Sequence, residues 1–76
     1  MNKDGRDQLE FMLNEISNIK DRIGEMHDDE REKYDNLPEG LQGFAKGEEL
    51  EDGIEKLDTI YVALEEAQDA LEELIG

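Results

Sequence analysis

The sequence predicts an all-α fold: an antiparallel helical hairpin, coiled-coil-like, with a short helix or turn in its connection. Three observations lead there. Apolar residues recur at alternating spacings of three and four in two long stretches, the stretches are similar in length, and a segment with proline and glycine separates them. The charged fraction of 41% and mean hydropathy of -0.87 are typical of disordered chains, but disorder carries no such periodicity.

In the first stretch Leu9, Met12, Ile16, Ile19, Ile23 and Met26 form a heptad seam, widened at its upper end by Phe11 and Leu13. Asp4 or Asp7 is placed to cap the start and to put acid at the positive helix end. From His27 to Lys33 there is no apolar residue, yet Glu30, Arg31 and Lys33 favour helix. A helix is therefore expected from about residue 6 to Tyr34, with His27 exposed.

The connection spans about residues 35–47. Pro38 disfavours helical geometry at Leu37 and suits the first turn of a new helix. Leu37, Leu41 and Phe44 then sit at helical spacing, while Gly40, Gly43 and Gly47 each cost roughly 1 kcal/mol in a helix interior. A short helix or turn packed over the end of the hairpin is expected. The second helix is expected over about residues 48–75. Leu50, Ile54, Leu57, Tyr61, Leu64, Leu71 and Ile75 form its main row, and Ile60, Ala67 and Leu74 the neighbouring one. Residues 1–76 thus read as a single domain. Its two stripes make a thin core, and the broad second stripe has apolar residues to spare. A homodimer, forming a four-helix bundle, or folding completed by a partner is expected.

Composition narrows the function. There are 23 Asp and Glu against eight Lys and Arg, for a net charge of -15. Such a chain is expected to bind neither nucleic acid directly nor an anionic membrane, and to favour basic surfaces of other proteins. The absence of Cys excludes disulfides and thiolate metal sites. Met1 to Phe11 carries charge throughout and does not read as a secretory leader, and no apolar run approaches the ~20 residues of a membrane span. A cytoplasmic location, within a bacterial host, is the expectation.

No motif for catalysis emerges, and neither catalytic nor metal-binding residues nor a cofactor is assigned. His27 is the lone histidine, Ser17 and Thr59 lack a nucleophile context, and the glycines lack a phosphate-loop setting. One enzymatic pattern exists. Glu48 with Glu51, Glu55 with Asp58, Glu66 with Asp69 and Glu25 with Asp28 have the i,i+3 spacing by which all-α nucleotide pyrophosphohydrolases hold Mg²⁺. That motif needs inward carboxylates, and here the inward positions belong to Leu50, Ile54, Leu57 and Leu64.

The acidic surface is the more specific feature. From Glu48 to Ile75 there are eleven carboxylates and one base, Lys56. Over ~42 Å of helix that is one charge per roughly 4 Å, close to the ~3.4 Å per charge of a nucleic-acid strand. A solvated helix face would ordinarily balance Glu with Lys at i+4, and this one mostly does not. The residues expected to meet a partner are Glu48, Glu51, Asp52, Glu55, Asp58, Glu65, Glu66, Asp69, Glu72 and Glu73, extended by Asp28, Asp29, Glu30 and Glu32. Leu37, Leu41, Phe44 and Ile60 form the candidate apolar contact.

The stretch Lys33-Tyr34-Asp35-Asn36-Leu37-Pro38-Glu39-Gly40-Leu41-Gln42, followed by Gly47-Glu48 and the Leu50, Ile54, Leu57 ladder, resembles a group of short acidic proteins encoded by bacteriophages and prophages. In these an Asn-Leu-Pro-Glu-Gly-Leu-Gln turn joins two charged helices. The group has no established activity and contributes no functional residue. Gly43, Phe44 and Ala45 depart from the polar residues usual there. A phage origin implies a non-enzymatic acidic protein that inhibits or modulates a host nucleic-acid-binding or defence protein through a DNA-like carboxylate surface. The alternatives are a structural or assembly protein binding through its apolar stripe, and a Mg²⁺-dependent nucleotide pyrophosphohydrolase.

Overall fold

A computed structural model describes all 76 residues as three helices and no strand: α1 (Lys3–Asp35), α2 (Glu39–Gln42) and α3 (Ala45–Ile75). α1 and α3 pack antiparallel, and α2 closes one end against α3. The molecule is a rod, 58 × 14 × 13 Å between Cα atoms, with a radius of gyration of 17.2 Å. A compact chain of this length would have ~11 Å.

α1 starts earlier than the acids at its beginning indicate. Its N-cap is Asn2, whose side-chain oxygen accepts from the Gly5 N–H at 2.8 Å, and neither Asp4 nor Asp7 caps it. The helix ends at Asn36, whose N–H donates to the Glu32 carbonyl. Pro38 is the N-cap of α2 with extended backbone (φ -55°, ψ 140°), and Leu41 N–H donates back to the Pro38 carbonyl at 2.8 Å. The Gln42 amide reaches across the corner to the carbonyls of Leu37 (3.2 Å) and Tyr34 (3.4 Å), supplying donors to the end of α1. The corner makes no use of left-handed backbone.

α3 begins at Ala45, three residues ahead of the expected start, so Gly47 lies inside its first turn. The reason is steric. Gly47 is buried, and a Cβ there would come within 2.8 Å of the Gln42 Cα and closer still to its carbonyl oxygen. Only a residue without a side chain lets α2 and α3 approach this closely. Leu50 and Ile54 lie directly beside this corner and are the most buried side chains, at 6% and 8% exposure. Elsewhere the seam is half-buried, as two helices can only half-enclose it.

On α3 the inward residues are Gly47, Leu50, Ile54, Leu57, Tyr61, Leu64, Gln68, Leu71 and Ile75, the expected row with Gly47 and Gln68 added. On α1 the rotation differs from the expected seam. Leu9, Ile16 and Ile23 face inward as expected, but Leu13, Lys20, His27, Glu30 and Tyr34 complete the row. Met12, Ile19 and Met26 face out, at 46%, 46% and 54% exposure. Two cross-helix fits accompany this rotation. Lys20 Nζ donates to Gln68 Oε1 at 2.6 Å and lies 5.6 Å from the centre of the Tyr61 ring, and Gly24 leaves room for that ring. A methyl on Gly24 would stand 3.3 Å from it. Turning Met12, Ile19 and Met26 inward would break both.

These pairings also fix the stagger. With Lys20 level with Gln68, the end of α3 at Ile75 is level with about residue 13 of α1. The first ten or so residues of α1, ~15 Å, therefore project beyond α3. At the opposite end α3 projects past α1, and α2 fills that gap.

Candidate functional site

An antiparallel pair has an approximate two-fold axis through its seam, so the residues that precede inward positions on both helices fall on one side of the hairpin. Those that follow inward positions fall on the other. The sequence sorts sharply by this rule. From Leu9 onward, the following positions hold Glu10, Asp21, Asp28 and Asp35 of α1 with Glu48, Glu51, Glu55, Asp58, Glu65, Asp69 and Glu72 of α3, against a single base, Arg31. The preceding positions hold Met12, Ile19, Met26, Ile60, Ala63, Ala67, Ala70 and Leu74. Their charges nearly cancel, with Glu15, Asp29 and Glu49 against Arg22, Lys33, Lys46 and Lys56.

The hairpin is thus two-sided, and the carboxylates expected to act together do not all share a side. Asp28, Glu48, Glu51, Glu55, Asp58, Glu65, Asp69 and Glu72 lie on the acidic side. Glu32, Glu66 and Glu73 lie on the outer surfaces, away from the seam, and Asp52 lies between the outer surface of α3 and the acidic side. Asp29 falls on the apolar side, and Glu30 sits in the seam, where its carboxylate pairs with Lys33 Nζ at 2.9 Å. Of the candidate apolar contacts, Leu37 is half-buried at the corner. Leu41 and Phe44 are exposed there, at 49% and 65%, and Ile60 lies on the apolar side at 45%.

On the acidic side the helices leave an open groove of about 720 Å³, lined by His27, Arg31, Glu48, Glu51, Asp52, Ile54, Glu55 and Asp58. His27 is half-buried there, contrary to its expected exposure, because it occupies an inward position. Its Nδ1 lies 3.4 Å from Asp28 Oδ1, and a second hollow joins it to Gly24, Asp58 and Tyr61. Arg31, the only base on this side, reaches Asp35 at 3.9 Å. Most of the carboxylates therefore lack a cation and stand free in solvent. The paired lysines lie elsewhere. Hydrogen bonding to Glu30 and then its charge raise the pKa of Lys33, and Asp52 does the same for Lys56 across 2.8 Å.

Sequence reasoning missed Glu10, Asp21, Asp35, His27 and Arg31 as members of this side. Each is legible once the inward row of α1 is placed, since His27 belongs to it and the others follow its members directly. The i,i+3 acid pairs are all exposed, and no three His or acidic side chains converge on a common point for a metal ion. Thr59 uses its hydroxyl locally, donating to the Glu55 carbonyl at 3.1 Å. No helix is long and apolar enough to cross a membrane. Comparison with protein-family models, with curated proteins and with solved structures finds no match to this chain.

Proposed function

We propose that the protein is a non-enzymatic acidic binding protein, phage-encoded, which inhibits or modulates a nucleic-acid-binding or defence protein of its bacterial host by presenting carboxylates in place of phosphates. The observation that carries this reading is the sorting of charge. Eleven carboxylates and one base occupy one side of a straight rod, and along α3 the row from Glu51 to Glu72 runs ~31 Å, about nine base-pair steps of a duplex. A surface built only for solubility has no reason to place its acids on one side. Beside this row α1 adds a sparser one, Asp21, Asp28 and Asp35, at the ~8–10 Å that separates packed helices.

The experiment is affinity capture from bacterial lysate, with washes at low and high salt, followed by competition with duplex DNA for the captured protein. Capture of a nucleic-acid enzyme at low salt, release at high salt and displacement by DNA are expected. The charge-reversal variant Glu51→Lys, Asp58→Lys, Glu65→Lys, Glu72→Lys should keep its helicity and lose the interaction. Retained binding by that variant would refute the reading. The exposed apolar side favours a second reading, an assembly protein. In that case salt would change affinity little, and Phe44→Ala or Ile60→Ala would weaken it.

A further inference from the structure

We infer that the apolar side is the interface of a homodimer in which a two-fold axis along the rod lays α1 of one copy over α3 of the other. The inference is independent of the partner reading above and rests on area, fit and charge.

The exposed surface of one chain is 5720 Å², whereas a folded monomer of 8.7 kDa should expose about 4,700 Å². Two copies covering that excess would together bury ~2,000 Å², within the range of stable specific interfaces. The uncovered apolar surface is also concentrated. Of the ten large apolar side chains left exposed, Met12, Ile19, Met26, Ile60 and Leu74 lie on this one side.

The face is complementary to itself. The stagger set by Lys20 and Gln68 puts Met12 level with Leu74, Ile19 with Ala67 and Met26 with Ile60. A two-fold axis along the rod keeps each level and exchanges the helices, so the same pairs meet between copies. Ile19 then enters the stretch where α3 carries only the methyl groups of Ala63, Ala67 and Ala70, while at either end a large side chain meets a large one, Met12 on Leu74 and Met26 on Ile60. Asp29 comes close to level with Lys56 of the other copy, an attractive pair at the edge.

Charge selects this side for a second copy. Two chains of net charge -15 repel wherever acidic surfaces meet, and the apolar side is nearly neutral. Joined there, the copies form a four-helix bundle with both acidic sides facing outward.

Sedimentation equilibrium of the full chain at tens of micromolar tests the inference. A mass twice 8.7 kDa is expected, and the single-chain mass or any higher assembly would overturn it. Ile60 and Val62 are equally exposed, at 45% and 46%, but lie on opposite sides of α3. Ile60→Glu should weaken dimerisation roughly tenfold or more and Val62→Glu should leave it unchanged. Equal effects would overturn the assignment of the face. Cysteine trapping covers the case in which Ile60→Glu fails to fold. Chains carrying Ile19→Cys alone and Ala67→Cys alone, mixed and oxidised, should yield the mixed disulfide. Preferential self-pairing of the Ile19→Cys chain would overturn the orientation of the axis.

Discussion

The corner where α2 meets α3 gives opposite expectations for one chemical change at two positions in the same helix. Gly47→Ala places a methyl within 2.8 Å of the Gln42 Cα and deeper still into its carbonyl group. These are backbone atoms of a corner held by the Gln42 side chain, so no rotamer change relieves the overlap. Relief requires α2 to lift away from α3, which uncovers Leu50 and Ile54, each contributing ~2 kcal/mol by burial. Overpacking of this kind costs about 1–3 kcal/mol, and more when backbone must move. The helix propensity gained by alanine returns only ~1 kcal/mol. The net expectation is a loss of roughly 2 kcal/mol, or ~10 °C in Tm for a chain of this size. At Gly53 a methyl would meet no other atom within 4 Å, so Gly53→Ala should keep the whole propensity gain and raise Tm by about 4–8 °C. Thermal unfolding followed by far-UV circular dichroism, at one fixed chain concentration, compares the two. A Gly47→Ala protein as stable as the wild type would refute the steric account of the corner.

Three further perturbations address other parts of the hairpin. Replacing Lys20 and Gln68 by Leu, singly and together, should give a coupling energy of about 1 kcal/mol in a double-mutant cycle of urea unfolding; additive effects would mean that their hydrogen bond contributes nothing. Raising NaCl from ~20 mM to ~0.5 M should raise Tm by several degrees, because screening relieves repulsion within a chain of net charge -15; a flat or falling Tm would show that this repulsion is not limiting. Asn2→Ala removes the cap of α1 and costs about 1 kcal/mol locally. As the first turns project beyond α3, amide exchange near Gly5 should accelerate while Tm barely moves, and a Tm fall of many degrees would show those turns to be coupled to the hairpin.

The hairpin and the rotation of α3 were legible in the sequence because eight of the nine inward residues of α3 are apolar or glycine, and Gln68 interrupts the row only once. The rotation of α1 was not. That helix carries two adjacent rows, and Ile19 and Met26 are far more hydrophobic than Lys20 and His27, so periodicity alone selects the wrong one. Pairing reversed the choice, through a hydrogen bond from Lys20 to Gln68 and space for Tyr61 at Gly24, and neither is visible along one strand of sequence. The two-sided charge pattern followed the same path. The surplus of acid on α3 could be counted directly, but the side each acid occupies depends on which residues face inward. The early start of α3 was hidden for a related reason, since Gly47 reads as a helix breaker until the proximity of Gln42 is known.

The segregation of charge has a kinetic consequence. A rod with carboxylates spread evenly around it has no preferred roll angle in the field of a cationic surface, and most encounters would present the wrong side. Here negative charge on one side and near neutrality on the other create an electric moment across the rod, perpendicular to its length. Within a Debye length, ~8 Å at physiological ionic strength, a basic surface exerts a torque that turns the carboxylates toward it before contact. Electrostatic steering of this kind lifts association from about 10⁵–10⁶ toward 10⁸–10⁹ M⁻¹s⁻¹ at low salt. On the proposed function, the arrangement of acids therefore bears on how quickly a basic partner is found as well as on how tightly it is held.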